Sequence, residues 1–123
     1  MRLTLDTPTG ANLVTKLGPE GIRVGERWLT RSFIMNAAVL HEDWSVTNPS
    51  RVELEALAPA LALEPEILVL GTGERICFPD GSVFAALAER GIGLEVMDTA
   101  AACRTYNVLV GEERPVVAAL ILP

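Results

Sequence analysis

The chain has 123 residues, of which 50% are hydrophobic and 21% charged, and its 10 cations face 16 carboxylates for a net charge of −6. This length builds one domain with a sizeable core, spanning 1–123 with 1–12 as a loose N-terminal segment, and the apolar content argues against disorder. An acidic surface repels phosphate backbones, so nucleic acid is not expected as a partner.

The surplus of apolar residues fits either an Ala- and Leu-rich core or a surface buried against a partner protein, a second copy included. The apolar run Val116–Leu122 suits a strand and is too short to insert directly into a membrane. Met1 to Pro8 has neither an apolar core segment nor an Arg-rich pattern, so no secretory signal or transit sequence is expected. Two cysteines, Cys77 and Cys103, form no CxxC motif, which fits a reduced, cytoplasmic protein.

The first third reads as short strands and turns. Leu13–Leu17 precedes the turn Gly18-Pro19-Glu20-Gly21, Ile22–Val24 alternates, and Gly25-Glu26 turns again. Arg27–Met35 reads as one longer strand with neither face cleanly apolar, and Ala37–Leu40 as a further short one. Ser50 with Glu53 three residues on reads as a capping box opening a short helix, bracketed at its exit by Pro59 and Pro65.

The second half alternates strands and helices. Glu66–Leu70 reads as a buried strand ending at Gly71-Thr72-Gly73. A loop to Pro79 leads into a helix from about Asp80 with Val83, Phe84, Leu87 and Ala88 at helical spacing, and Gly91 suits its end. Strand Leu94–Met97 follows, then a helix from Ala100 to about Leu109 with Thr99 as its cap and Gly111 past its end. The last strand is Arg114–Leu122, whose edge, with no charged tail, could pair with a second copy. The order is that of an α/β domain with a parallel sheet.

The two strand-to-helix junctions, Gly71–Gly73 and Asp98–Thr99, gather at the carboxyl ends of parallel strands, where α/β proteins bind ligands. Gly71-Thr72-Gly73-Glu74-Arg75-Ile76 lacks the third glycine of a dinucleotide fingerprint and opens no helix, although Asp98 sits where a ribose-binding acid would. There is no phosphate-binding P-loop, no G-x-S-x-G elbow, and His41 has no second metal-ligating neighbour of its own kind. No catalytic residue, metal or cofactor is therefore assigned. Cys77 and Cys103 could face one another near Arg75 and Arg104, or could pack as small hydrophobes.

Thr99, Cys103, Arg104 and Asn107 adjoin on one helix by i, i+3, i+4 spacing, and Asp98 could pair with Arg104. One reading makes Gly71, Thr72, Gly73, Asp98, Thr99, Cys103, Arg104 and Asn107 a small ligand pocket. The other has the same polar side chains satisfying the backbone of the loop around Gly73. Both stay open on the sequence alone.

Leu70-Gly71-Thr72-Gly73, then Met97-Asp98-Thr99-Ala100-Ala101-Ala102-Cys103-Arg104-Thr105-Tyr106-Asn107, then Glu113–Leu120, resemble the family known as domain of unknown function 498. The likeness runs from about Leu13 to Pro123 and is specific in the second half. The family includes a mitochondrial complex I assembly factor and an adipogenesis-associated protein of animals. The resemblance implies a three-layer α/β domain whose central mixed, mainly parallel sheet carries helices and an additional β layer from the N-terminal third. It supplies no catalytic residue, metal or cofactor. It implies a protein-binding role, such as an assembly factor for a membrane or respiratory complex. The alternative is a small-molecule-binding protein or enzyme using the strand-end pocket.

Overall fold

The computed structural model describes residues 10–123, so what the sequence suggests for 1–9 lies outside the described residues. Two sheets and three α-helices make an α/β architecture in three layers. β1 (Val14–Gly18), β2 (Gly21–Val24) and β3 (Arg27–Leu29) form an antiparallel meander. The central sheet has the order β5-β4-β8-β6-β7. Within it β6 (Ile67–Thr72), β7 (Gly93–Met97) and β8 (Val116–Ile121) are parallel, while β4 (Phe33–Met35) runs antiparallel to β8 and β5 (Leu40–His41) turns back on β4.

Alternation along the central strands explains why both faces of that sheet are covered. Val69, Val116, Ala118, Leu120, Phe33 and Met35 face the layer made by the meander and α3 (Thr99–Gly111). Leu68, Leu70, Val117, Ala119, Ile121 and Ile34 face the layer made by residues 42–63 and α2 (Gly81–Glu89). A strand buried on both faces reads as a continuous apolar run, and all six residues of β8 are buried. Ala102, buried on the sheet-facing side of α3, lets that helix lie close to the sheet at Gly71.

Four local expectations are corrected. Arg27–Met35 is two strands, because the chain leaves the meander after Leu29 and enters the central sheet at Phe33. The mixed faces of the run reflect this change of sheet. The Ser50–Glu53 capping box does not form. Instead Asn48 Oδ1 accepts from the Ser50 amide at 3.0 Å and its hydroxyl at 2.8 Å, an Asx turn across Pro49. Two 3-10 turns, Pro49–Arg51 and Leu54–Leu57, then lead into a single turn of helix, α1 (Ala58–Leu61), where Pro59 sits at the start rather than the exit. Asp98, not Thr99, caps α3 by accepting from the Ala101 amide at 2.8 Å. Finally, β8 is no edge strand: it pairs with β4 on one side and β6 on the other.

Segment 10–14 is tied to the core. Ala11 and Leu13 pack against the buried cluster, and the Tyr106 hydroxyl donates to the Asn12 carbonyl at 2.8 Å.

Candidate functional site

The parallel strands end together at Thr72, Met97 and Ile121, and the residues gathered there interlock. Gly71 is where α3 meets the sheet: a Cβ there would sit 2.9 Å from Leu120 Cδ2 and 3.0 Å from both Ala102 Cβ and Thr99 Cα. Gly73 takes a φ of +94°, a left-handed conformation that glycine adopts without strain. Its amide donates to Thr99 Oγ1 at 2.8 Å, and its carbonyl accepts from the Thr99 amide at 2.9 Å. The Thr99 hydroxyl, wholly buried, donates onward to the Ile121 carbonyl at 2.5 Å. One side chain therefore joins the ends of β6, α3 and β8.

Thr72 does similar work one residue earlier. Its hydroxyl donates to the Arg75 carbonyl at 2.6 Å, lies 3.3 Å from the Met97 carbonyl, and accepts from the Cys77 amide at 3.0 Å. The loop after β6 is folded onto that hydroxyl, leaving Ile76 and Phe78 exposed on its outer side.

The structure brings Gly71, Thr72, Gly73, Asp98 and Thr99 together, with Cys103 one turn on along the buried face of α3, and commits Asn107 and Arg104 elsewhere. Asn107 lies eight residues along α3, about 12 Å from Thr99 at 1.5 Å per residue. There its side chain holds β1 with both ends: Oδ1 accepts from the Val14 amide at 2.9 Å and Nδ2 donates to the Val14 carbonyl at 2.8 Å. Arg104 is exposed, and among the described residues no ion pair joins it to Asp98.

Both thiols are free. Cys103 is buried with Ala102, Tyr106 and Val110 on the sheet-facing side of α3. Burial pushes its thiol up to about 12, against a smaller opposing pull from Arg104. Such a thiol stays protonated at neutral pH, which removes its nucleophilic form. Among the described residues no group of three or more His, Cys, Asp or Glu could hold a metal ion, and no helix is long and apolar enough to cross a membrane.

Grooves open both beside the strand ends and away from them. One of about 310 Å³ opens beside the end of β8, between Thr30–Ser32 and Asp43–Ser45, with Ile121 and Leu122 at its base. Two others, on the α1–α2 layer, meet at Leu54 and Glu55. Sequence reasoning assigned none of these residues to a site. For the second pair a signal existed: Leu54, Ala58 and Leu61 recur at helical spacing between acids, but were absorbed into an expected helix.

Over 118 residues the chain is 36% identical to the zebrafish protein named NADH dehydrogenase [ubiquinone] 1 alpha subcomplex assembly factor 3, covering 94% of this chain and 67% of that one. The Xenopus tropicalis protein of the same name is 43% identical over 82 residues, covering 65% of this chain and 45% of that one. The chain thus spans from under half to two thirds of the length of these relatives. A crystal structure from Bordetella parapertussis superposes with a TM-score of 0.85 at 35% identity, covering 92% of this chain and 97% of that one. A Mth938-like domain from Bordetella pertussis gives 0.83 at 29% identity, covering 98% and 92%. A family model described as protein of unknown function (DUF498/DUF598) matches residues 14–121, and this chain belongs to that family.

Proposed function

We propose that this chain is a cytoplasmic, non-enzymatic protein-binding module that assists assembly of a membrane-bound respiratory NADH dehydrogenase. The observation that carries the reading is the match of 94% of the chain to a relative named as an assembly factor for that enzyme. The strand-end chemistry supports it. The hydroxyls of Thr72 and Thr99 and the amide of Asn107 are all engaged with backbone groups, and the Asp98 carboxylate holds the start of α3. Side chains committed in this way hold a shape; that shape is what a partner protein reads.

The test is deletion of the gene in its own cells, with NADH dehydrogenase assembly followed by native gel electrophoresis and in-gel activity. The reading expects loss of the full-size enzyme with accumulation of smaller assemblies, restored by the wild-type gene. Unchanged assembly in the deletion strain overturns it.

A further inference from the structure

The layer made by residues 42–66 and α2 carries a surface feature separate from the strand ends. Two grooves of about 750 and 460 Å³ adjoin there, sharing Leu54 and Glu55. The first lies between the 3-10 turns and the start of α2, over Val52, Val83 and Ala86, with Glu53, Glu55 and Asp80 at its rim. The second continues over Ala58 and Leu61 and ends at Arg90.

The charge around it is lopsided. Glu53, Glu55 and Asp80 line the two grooves against one cation, Arg90, while Glu42 and Asp43 pair with Arg27 and Arg31 of the opposite layer and Glu64 lines a different groove with Arg114. Three carboxylates along one apolar trough attract cations to it. Asp80 adds to this attraction as an ionised group, since its hydrogen bonds to Ser82 hold the carboxyl below its ordinary value.

The geometry points to a docking site for an amphipathic helical segment of a partner protein, with its apolar stripe on Leu54, Ala58, Leu61 and Ala86 and its lysines or arginines on Glu53, Glu55 and Asp80. This rests on the protein-binding reading above and names the kind of partner. An apolar trough bordered by charge takes a helix through anchors at i, i+3, i+4 and i+7, and the border selects the sign of its flanks. Arg90 at the far end sets the direction: the cationic flank lies toward Asp80, the neutral or acidic end toward Arg90.

The experiment is an NMR titration of the isotopically labelled chain with model peptides of about five helical turns. One alternates Leu and Lys at helical spacing, one carries Glu for Lys, and one has the Leu/Lys composition with the spacing scrambled. The Leu/Lys helix should move the amides of 52–62 and 82–90, and the other two should not. Glu53→Lys with Glu55→Lys, both exposed positions, should weaken the Leu/Lys peptide at least tenfold and admit the Leu/Glu peptide, with the fold checked by circular dichroism. Shifts centred on the opposite layer, equal binding of the scrambled peptide, or unchanged binding by the double variant overturns the site. So does movement of the same amides with protein concentration alone, which would make the groove a contact between copies. Copurification of NADH dehydrogenase subunits with wild type and double variant alike would overturn the groove and leave the module reading standing.

Discussion

Thr99→Val is the most informative single change, because it keeps the side chain's shape and removes only the hydroxyl. In the wild type that oxygen accepts from the Gly73 amide at 2.8 Å and donates to the Ile121 carbonyl at 2.5 Å, in a position wholly closed to solvent. Valine would leave both groups without that partner. A buried donor or acceptor left bare costs about 1–3 kcal/mol. The bare N–H is the costlier of the two, since the Ile121 carbonyl has a second lone pair, so the sum is about 2–4 kcal/mol. Domains of this size are stable by about 5–15 kcal/mol, so the loss is a large share. Urea unfolding should show a lower midpoint with an unchanged slope, and the melting temperature should fall by about 10 °C. Thr99→Ser, which keeps the hydroxyl and loses a methyl, should cost about 1 kcal/mol. A Thr99→Val protein within about 0.5 kcal/mol of wild type, or less damaged than Thr99→Ser, would refute the clamp.

Gly71→Ala places a methyl against Ala102 Cβ and the Thr99 backbone at 3.0 Å, and should destabilise by about 1–3 kcal/mol in urea unfolding as α3 is pushed off the sheet. Asn107→Ala removes both bonds that hold Val14, and hydrogen exchange should speed up in β1 and β2 well before the central sheet. Arg104→Ala should leave stability within about 0.5 kcal/mol of wild type by thermal melting, because the side chain is exposed. Burial makes both Cys103 and Tyr106 harder to deprotonate; for Cys103 the contribution is fully present below the unfolded thiol's 9.0 and is lost as the pH rises through about 12. Unfolding titrations should therefore show stability falling across that range, and Cys103→Ala should flatten part of the fall.

Much of the second half was legible because each element obeys one period. The run Ile67–Leu70 is apolar without alternation, which a strand covered on both faces requires, and the helical spacing of Val83 and Leu87 matches the face α2 buries. The glycines were legible as glycines, yet their reasons differ: Gly71 admits a neighbour, and Gly73 adopts a conformation. The N-terminal half was harder to read because its partners are remote in sequence. Phe33–Met35 looks like a continuation of Arg27–Leu29 until β8, more than eighty residues on, claims it. The Asn48 turn and the Ser50 box draw on the same residue types a few positions apart, and Pro49 decides between them. At the strand ends Gly71 to Gly73, Asp98 and Thr99 lie together, as strand-to-helix junctions of neighbouring parallel strands do. Spacing along a helix could not tell that Asn107 would be used by a strand ninety-three residues earlier.

The proposed role of this domain is to hold other proteins during assembly of a respiratory complex. It is tested most directly by purifying the tagged chain from its own cells under native conditions, with mass spectrometry of both the copurifying proteins and the small molecules released on denaturation. A protein-binding module of this kind should bring down subunits of the membrane-bound NADH dehydrogenase and no stoichiometric small molecule. A stoichiometric small molecule without those subunits would contradict it and return attention to the strand ends.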